Sequence, residues 1–170
     1  MYESIKKNLK DFKIRFANEN DADLILDFIK KLAIYEKRLN QVIVTKADIK
    51  EALFKRKIAE AIIGEYEGKP VSFAIFLYNF STFIGKPGIY IEDLYVNPEI
   101  RGKGIGTLMF AFLAKLAMNR KCVTLEWSVL NWNEPSIKFY KKIGAESRNE
   151  WTIYRITGHA LEELARSKSN

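Results

Sequence analysis

The chain has 170 residues, 48% hydrophobic and 29% charged with 9 Gly and 4 Pro, which excludes a disordered, collagen-like or low-complexity protein and suits one domain. Its single cysteine, Cys122, excludes an intramolecular disulfide and any multi-cysteine zinc or iron–sulfur site, and points to a reducing compartment. The 28 Lys+Arg against 21 Asp+Glu give +7, but bases and acids are interleaved, so the charge reads as a solvated surface and not as a nucleic-acid tail.

Met1 to Lys10 carries lysines with no apolar run behind them, unlike a secretory signal, and is read as an extension ahead of a single domain over residues 11–170. Phe12, Ile14 and Phe16 alternate as a strand does. Leu24, Ile25, Phe28, Ile29, Leu32 and Ala33 recur at helical spacing, which predicts an amphipathic helix to about Arg38. Thr45 with Asp48 marks the start of a second, shorter helix carrying Ile49, Leu53 and Phe54. Strands are predicted over residues 59–66, 71–80 and 89–96, the second apolar on both faces and so needing cover on each side. Asn97-Pro98 stops the third.

From Gly104 onward, Leu108, Met109, Phe112, Leu113, Leu116 and Ala117 mark a helix. The greasiest stretch, Thr107 to Met118, contains Lys115 and is much shorter than the roughly 20 residues of a membrane span, so a soluble, cytoplasmic protein is expected. Cys122 to Leu130 reads as a strand, Pro135 opens a helix that Gly144 stops, Glu150 to Thr157 reads as a last strand, and a short helix follows. The order predicts a mixed α/β domain, antiparallel in the middle of its sheet, with helical crossovers later.

Three segments carry chemistry. Arg101-Gly102-Lys103-Gly104-Ile105-Gly106 joins a strand end to a helix start, where bare backbone N–H groups and the helix dipole suit a phosphate, although a tight connection alone would look the same. It is neither the dinucleotide fingerprint nor a P-loop. Glu92-Asp93 is a carboxylate pair inside an apolar strand. Alternation groups Glu92 with Leu94 and Val96, and Asp93 with Ile91 and Tyr95, so only one serves a given pocket unless a bulge re-aims them. In the third segment, Asn131 to Ala145, Asn133 can cap a helix on which Ser136 and Tyr140 share a face; the phenol is either a core residue or a site group.

Together, Leu94-Tyr95-Val96, the turn at Arg101 to Gly106, and the N-x-x-S-x-x-x-Y-x-x-x-G-A pattern from Asn133 to Ala145 resemble the GNAT family of acetyl-CoA-dependent N-acetyltransferases, over about Phe12 to Leu161. Lys31 to Glu36, Ile84-Gly85-Lys86, Tyr90 to Asp93 and Trp132 to Lys141 are similar to the diamine (spermidine/spermine) acetyltransferase branch. The resemblance implies the GNAT acyl-CoA N-acyltransferase fold, a mixed twisted sheet of about six to seven strands flanked by helices, and a homodimer. Leu94, Tyr95 and Val96 would offer backbone groups to the pantetheine arm of acetyl-CoA. Arg101, Gly102, Lys103, Gly104, Ile105, Gly106 and Thr107 would hold the diphosphate, and Asn133, Glu134, Pro135, Ser136 and Tyr140 would lie farther along the cofactor. Tyr140 matches the general acid. Tyr35, Glu36, Glu92, Asp93, Glu126, Trp127, Ser128, Glu150 and Trp151 fall where that branch lines its amine site. Its acid-Pro-aromatic loop reads Ser81-Thr82-Phe83 here, which removes a carboxylate for a polycation and weakens the case for spermidine and spermine; the expected acceptor is the primary amine of a small cation, a diamine, polyamine or lysine-like amine.

An aliphatic amine at ~10.4 is protonated at pH 7, and supplying its neutral form costs about 4.6 kcal/mol. Glu92, directly or through water, is the expected base, backbone N–H at Leu94 to Val96 would polarise the thioester carbonyl, and Tyr140 would protonate the departing thiolate. Cys122 opens an apolar strand far in sequence from His159, the only histidine, so direct transfer in a ternary complex is expected over a covalent route, with no metal. The competing readings are acetylation of a protein lysine or amino terminus, an idle acetyl-CoA sensor, and a basic nucleic-acid-binding module, which the dispersed charge and the absence of zinc-finger or RNP-like motifs disfavour.

Overall fold

Five strands, in the order β1 to β5, form one sheet in the computed structural model, which describes residues 9–167. β1 (Phe12–Phe16), β2 (Glu60–Tyr66), β3 (Lys69–Ser81) and β4 (Lys86–Val96) pair antiparallel in sequence order, and β5 (Leu125–Trp127) adds parallel to β4. The parallel step needs a crossover, and α3 (Ile105–Asn119) supplies it. Of the expected N-terminal extension, residues 1–8 lie outside the described residues; Leu9 is buried and its carbonyl accepts from the Phe12 N–H at 3.0 Å.

Both faces of the sheet are covered, as the doubly apolar β3 requires. On one face α1 (Ala22–Tyr35) and α2 (Lys46–Ile49, continuing as a wider π-helical turn Lys50–Lys55) bury Ala22, Ile25, Phe28 and Ile49 against Ala61, Ile63, Phe73 and Tyr95. The Phe28 and Phe73 rings stack at 5.2 Å. Thr45 caps α2 through a reciprocal box with Asp48, the signal read in the sequence. α3 covers the other face, touching β1, β4 and β5, with Phe112 edge-on to Phe16 at 6.1 Å and Phe110 edge-on to Trp127 at 4.8 Å. At the carboxyl end of α3, Arg120 ties to Glu60 and to the Tyr78 hydroxyl. No helix among the described residues is long and apolar enough to cross a membrane.

The chain divides into two compact units between Asn133 and Glu134. The second contains α4 (Glu134–Lys142) and α5 (Gly158–Arg166). Gly144, at φ 90°, ends α4 as expected: the Ala145 N–H reaches back to the Tyr140 carbonyl at 3.0 Å, the six-to-one bond of a Schellman close.

Two strand expectations need correction. The expected strand at Cys122 to Leu130 shrinks to three residues, because β4 offers it a partner only over Ile89, Tyr90 and Ile91. Residues 150–157 form no strand despite their apolar content; their unit holds no other strand among the described residues, and alternation without a ladder partner leaves Ile153 82% and Tyr154 91% exposed. The sheet therefore has five strands where six to seven were expected, on the expected fold.

Candidate active site

The register of β4 on β3 contains the feature that builds the site. Asp93 pairs with Ile75, but Ile91 pairs with Phe76, so Glu92 is an extra residue with no counterpart. This β-bulge resets the alternation. Ile91, buried beside Phe76, stays on the α3 face, whereas Asp93 follows Ile75 and Tyr95 onto the α1 face. Glu92, between them, has no counterpart and is exposed. The sequence-based grouping of Asp93 with Ile91 is thus corrected, and the charge of Glu92 acts on Asp93.

Glu36, which closes the carboxyl end of α1, adds a third negative charge there. Asp93 is half-buried, and burial, then the charges of Glu92 and Glu36, push its pKa up to about 6. Ser81-Thr82-Phe83 sits at the far end of the β3–β4 hairpin, with Phe83 96% exposed, and brings no acid to this face.

The bulge also marks where the sheet opens. β5 leaves β4 after Ile91, so the edge of residues 92–96 that would face it has no strand partner among the described residues. The Tyr95 ring is part of the core against Phe28 at 6.1 Å. Beyond this edge, Gly102 and Gly104 take φ of 80° and 94°, the left-handed region that favours glycine. Gly104 is the residue ahead of α3, and no side chain caps that helix.

The two cations of this turn point elsewhere than expected. Arg101 donates from Nε to the Val96 carbonyl at 3.0 Å, and its guanidinium lies over the rings of Tyr35 at 4.6 Å and Tyr95 at 5.6 Å. Lys103 lies over Tyr66 at 5.3 Å. Tyr35 packs on Trp132 at 5.9 Å and donates its hydroxyl proton to Asn133 Oδ1 at 2.9 Å. Asn133 is buried, as a positioned polar group should be.

On β5, Glu126 accepts from Asn79 Nδ2 at 2.7 Å, and the Ser128 and Tyr90 hydroxyls are 2.8 Å apart. Asn79 was not foreseen: it is a β3 residue two strands away in order, and nothing local in the sequence pairs it with Glu126. In the second unit, Ser136 and Tyr140 lie four residues apart on α4, both half-buried, with Tyr140 edge-on to Phe139 at 5.6 Å. Glu134 and Pro135 are exposed in its first turn. Glu150 pairs with Arg148 at 2.8 Å, which holds its carboxyl below the usual range, and Trp151 is 65% exposed. Cys122 is buried, its Sγ 3.9 Å from the Arg120 carbonyl.

The model of the acetyltransferase (GNAT) family matches residues 31–145. The chain belongs to the GNAT family. It is similar to thialysine N-epsilon-acetyltransferase of Bos taurus, at 35% identity over 164 residues, 89% of this chain and 96% of that protein. Spermidine/spermine N(1)-acetyltransferase-like protein 1 of Homo sapiens is 31% identical over 91% of this chain, which covers 24% of that longer protein. Among solved structures, an integron cassette protein from the mobile metagenome of V. cholerae superposes with TM-score 0.77 at 28% identity, over 92% of this chain and 99% of that one. The protein is accordingly an acetyl-CoA-dependent N-acetyltransferase, and the likeness to the diamine acetyltransferase branch is borne out by its relatives.

GNAT acetyltransferases take their acetyl group from acetyl-CoA. The turn of this GNAT protein fits a diphosphate: two left-handed glycines free the backbone, and the uncapped start of α3 leaves its first N–H groups to an anion.

Proposed function

We propose that this GNAT enzyme acetylates the primary amine of a small cation, a lysine-like amino acid or a short diamine, by direct attack with donor and amine held together. One observation carries the reading: the bulge at Glu92, which puts Asp93 on the α1 face, where the charges of Glu92 and Glu36 both act on it. An acidic face of this kind attracts an ammonium group locally, against the +7 of the whole chain. Thialysine in the name of a 35% identical relative supports a lysine-like acceptor.

The bound cofactor supplies an activated acetyl thioester. Gly102 to Thr107 bind its diphosphate through backbone N–H groups, and the open edge at Leu94 to Val96 aligns its arm and polarises the thioester carbonyl. Glu92 and Glu36 hold the ammonium. Asp93, at about 6, is ionised at neutral pH yet a stronger base than an ordinary carboxylate, so it replaces Glu92 as the preferred proton acceptor. Tyr140 gives its proton to the leaving thiolate, and the lack of a carboxylate in Ser81-Thr82-Phe83 selects against longer polyamines. A homodimer, implied by the resemblance, belongs to the same proposal.

The test is thiol release from acetyl-CoA with thialysine, lysine, ornithine, short diamines, spermidine, spermine and a lysine-containing peptide. The highest kcat/KM is expected for a lysine-like amine or short diamine. A preference for the peptide or for spermine would displace the reading.

A further inference from the structure

The diphosphate turn is bound to the end of α1 by a single aromatic residue. Arg101 opens that turn, and its guanidinium lies between two rings of different character. Tyr95 is fixed in the core beneath Phe28, whereas Tyr35 stands at the last position of α1 and is held by Trp132 and by its bond to Asn133. The third tie, from Arg101 Nε to the Val96 carbonyl, fastens the same side chain to the end of β4. A planar guanidinium stacks on a ring face while its fixed N–H fork engages a carbonyl, a geometry that a lysine ammonium does not reproduce.

We propose that Tyr35 is a positioning residue that brackets the turn: its ring carries Arg101 and its hydroxyl carries Asn133, so one side chain sets two segments assigned to the cofactor. This departs from the expected roles, in which Tyr35 lines the amine site and Arg101 reaches the diphosphate. The inference rests on reading the turn as the acetyl-CoA site. Tyr35 acts on that site through Arg101 and Asn133, without touching the ligand.

The experiment combines Tyr35→Leu, which removes ring and hydroxyl, Tyr35→Phe, which keeps the ring, Arg101→Lys, which keeps the charge, and the Tyr35→Leu/Arg101→Lys double variant. CoA binding is measured by calorimetry, and urea unfolding is measured without ligand. A bracket makes the losses overlap: Tyr35→Leu and Arg101→Lys should each weaken CoA about tenfold, and the double variant about tenfold as well, whereas independent contacts would multiply to about a hundredfold. The ligand-free urea midpoints should be equally non-additive. Losses that multiply, or a Tyr35→Leu protein that binds CoA normally, overturn the bracket. Should Tyr35→Leu fail to fold, Tyr35→Phe decides: it keeps the ring under Arg101 and releases Asn133, so an intermediate loss of about threefold supports the bracket, and either unchanged affinity or a full tenfold loss overturns it. If the unsubstituted protein does not bind CoA, the reading of the turn fails, and the ligand-free cycle alone then decides whether Tyr35 and Arg101 act together.

Discussion

Glu92 has no partner on β3, and the bulge it makes carries Asp93 onto the α1 face, where the Glu92 charge acts on it. The fold bears a cost for this. Asp93 binds a proton more tightly folded, at about 6, than in the unfolded chain, near ~3.9. Between these values the native state holds more protons than the unfolded state, so stability falls as pH rises from about 4 to 6. Asp93→Asn should therefore be more stable at pH 7.5, by on the order of 2 kcal/mol, with the advantage gone at pH 4. Urea unfolding at the two pH values checks it; an equal difference at both would contradict the titration.

The same carboxylate should shape the rate. The acid limb of kcat/KM for the amine is expected near pH 6, and Asp93→Asn should abolish that limb while lowering kcat at least about a hundredfold. Glu92→Gln, which removes only a charge from the face, should raise the amine KM about fivefold and leave the acetyl-CoA KM unchanged. Initial rates against pH and each substrate separate the two roles.

Gly104 takes φ 94° just ahead of α3. Gly104→Ala forces a side chain into the left-handed region, at about 1–2 kcal/mol, and crowds the bare N–H groups of the turn. CoA affinity measured by calorimetry should fall at least about tenfold, with Gly104→Asn less affected, since asparagine adopts that region more readily.

A side chain at Gly88 would strike two polar groups. A Cβ there would come within 2.2 Å of Thr124 Oγ1 and 2.3 Å of Asn79 Oδ1. Because Asn79 also bonds Glu126, Gly88→Ala should free that carboxylate, loosen β5 and cost about 2 kcal/mol. A thermal scan reads the stability, and the amine KM reads Glu126.

Tyr140→Phe should lower kcat, with both KM values little changed, if the phenol protonates the thiolate. Cys122→Ala, at a buried thiol, should keep its turnover. A folded Cys122→Ala protein without activity would reinstate the covalent route.

Much of the chain up to Asn119 was legible because it advertises itself locally: the helical spacing of Leu24 to Ala33, the Thr45–Asp48 box, the stop at Asn97-Pro98 and the glycines of the turn each act within a few residues. The candidate site was named as a set of residues through the family motifs. Its geometry was not. Glu92 is a bulge only by virtue of the β3 residues across from it, and register is a property of two strands at once. Asn79 meets Glu126 across the sheet, and Arg101 turns to Tyr35 because two separate segments put rings there. Residues 150–157 look like a strand to any pattern reader, but a ladder partner decides, and their own unit offers none among the described residues.

β4 holds one residue more than β3 can match. Loss of the single codon for Glu92 would leave Ile91 opposite Phe76 and Asp93 opposite Ile75, a straight ladder with its other rungs intact. Glu92 is thus an insertion that the scaffold tolerates, and a lineage could shed or regain its charge in one in-frame event without having to redesign the core.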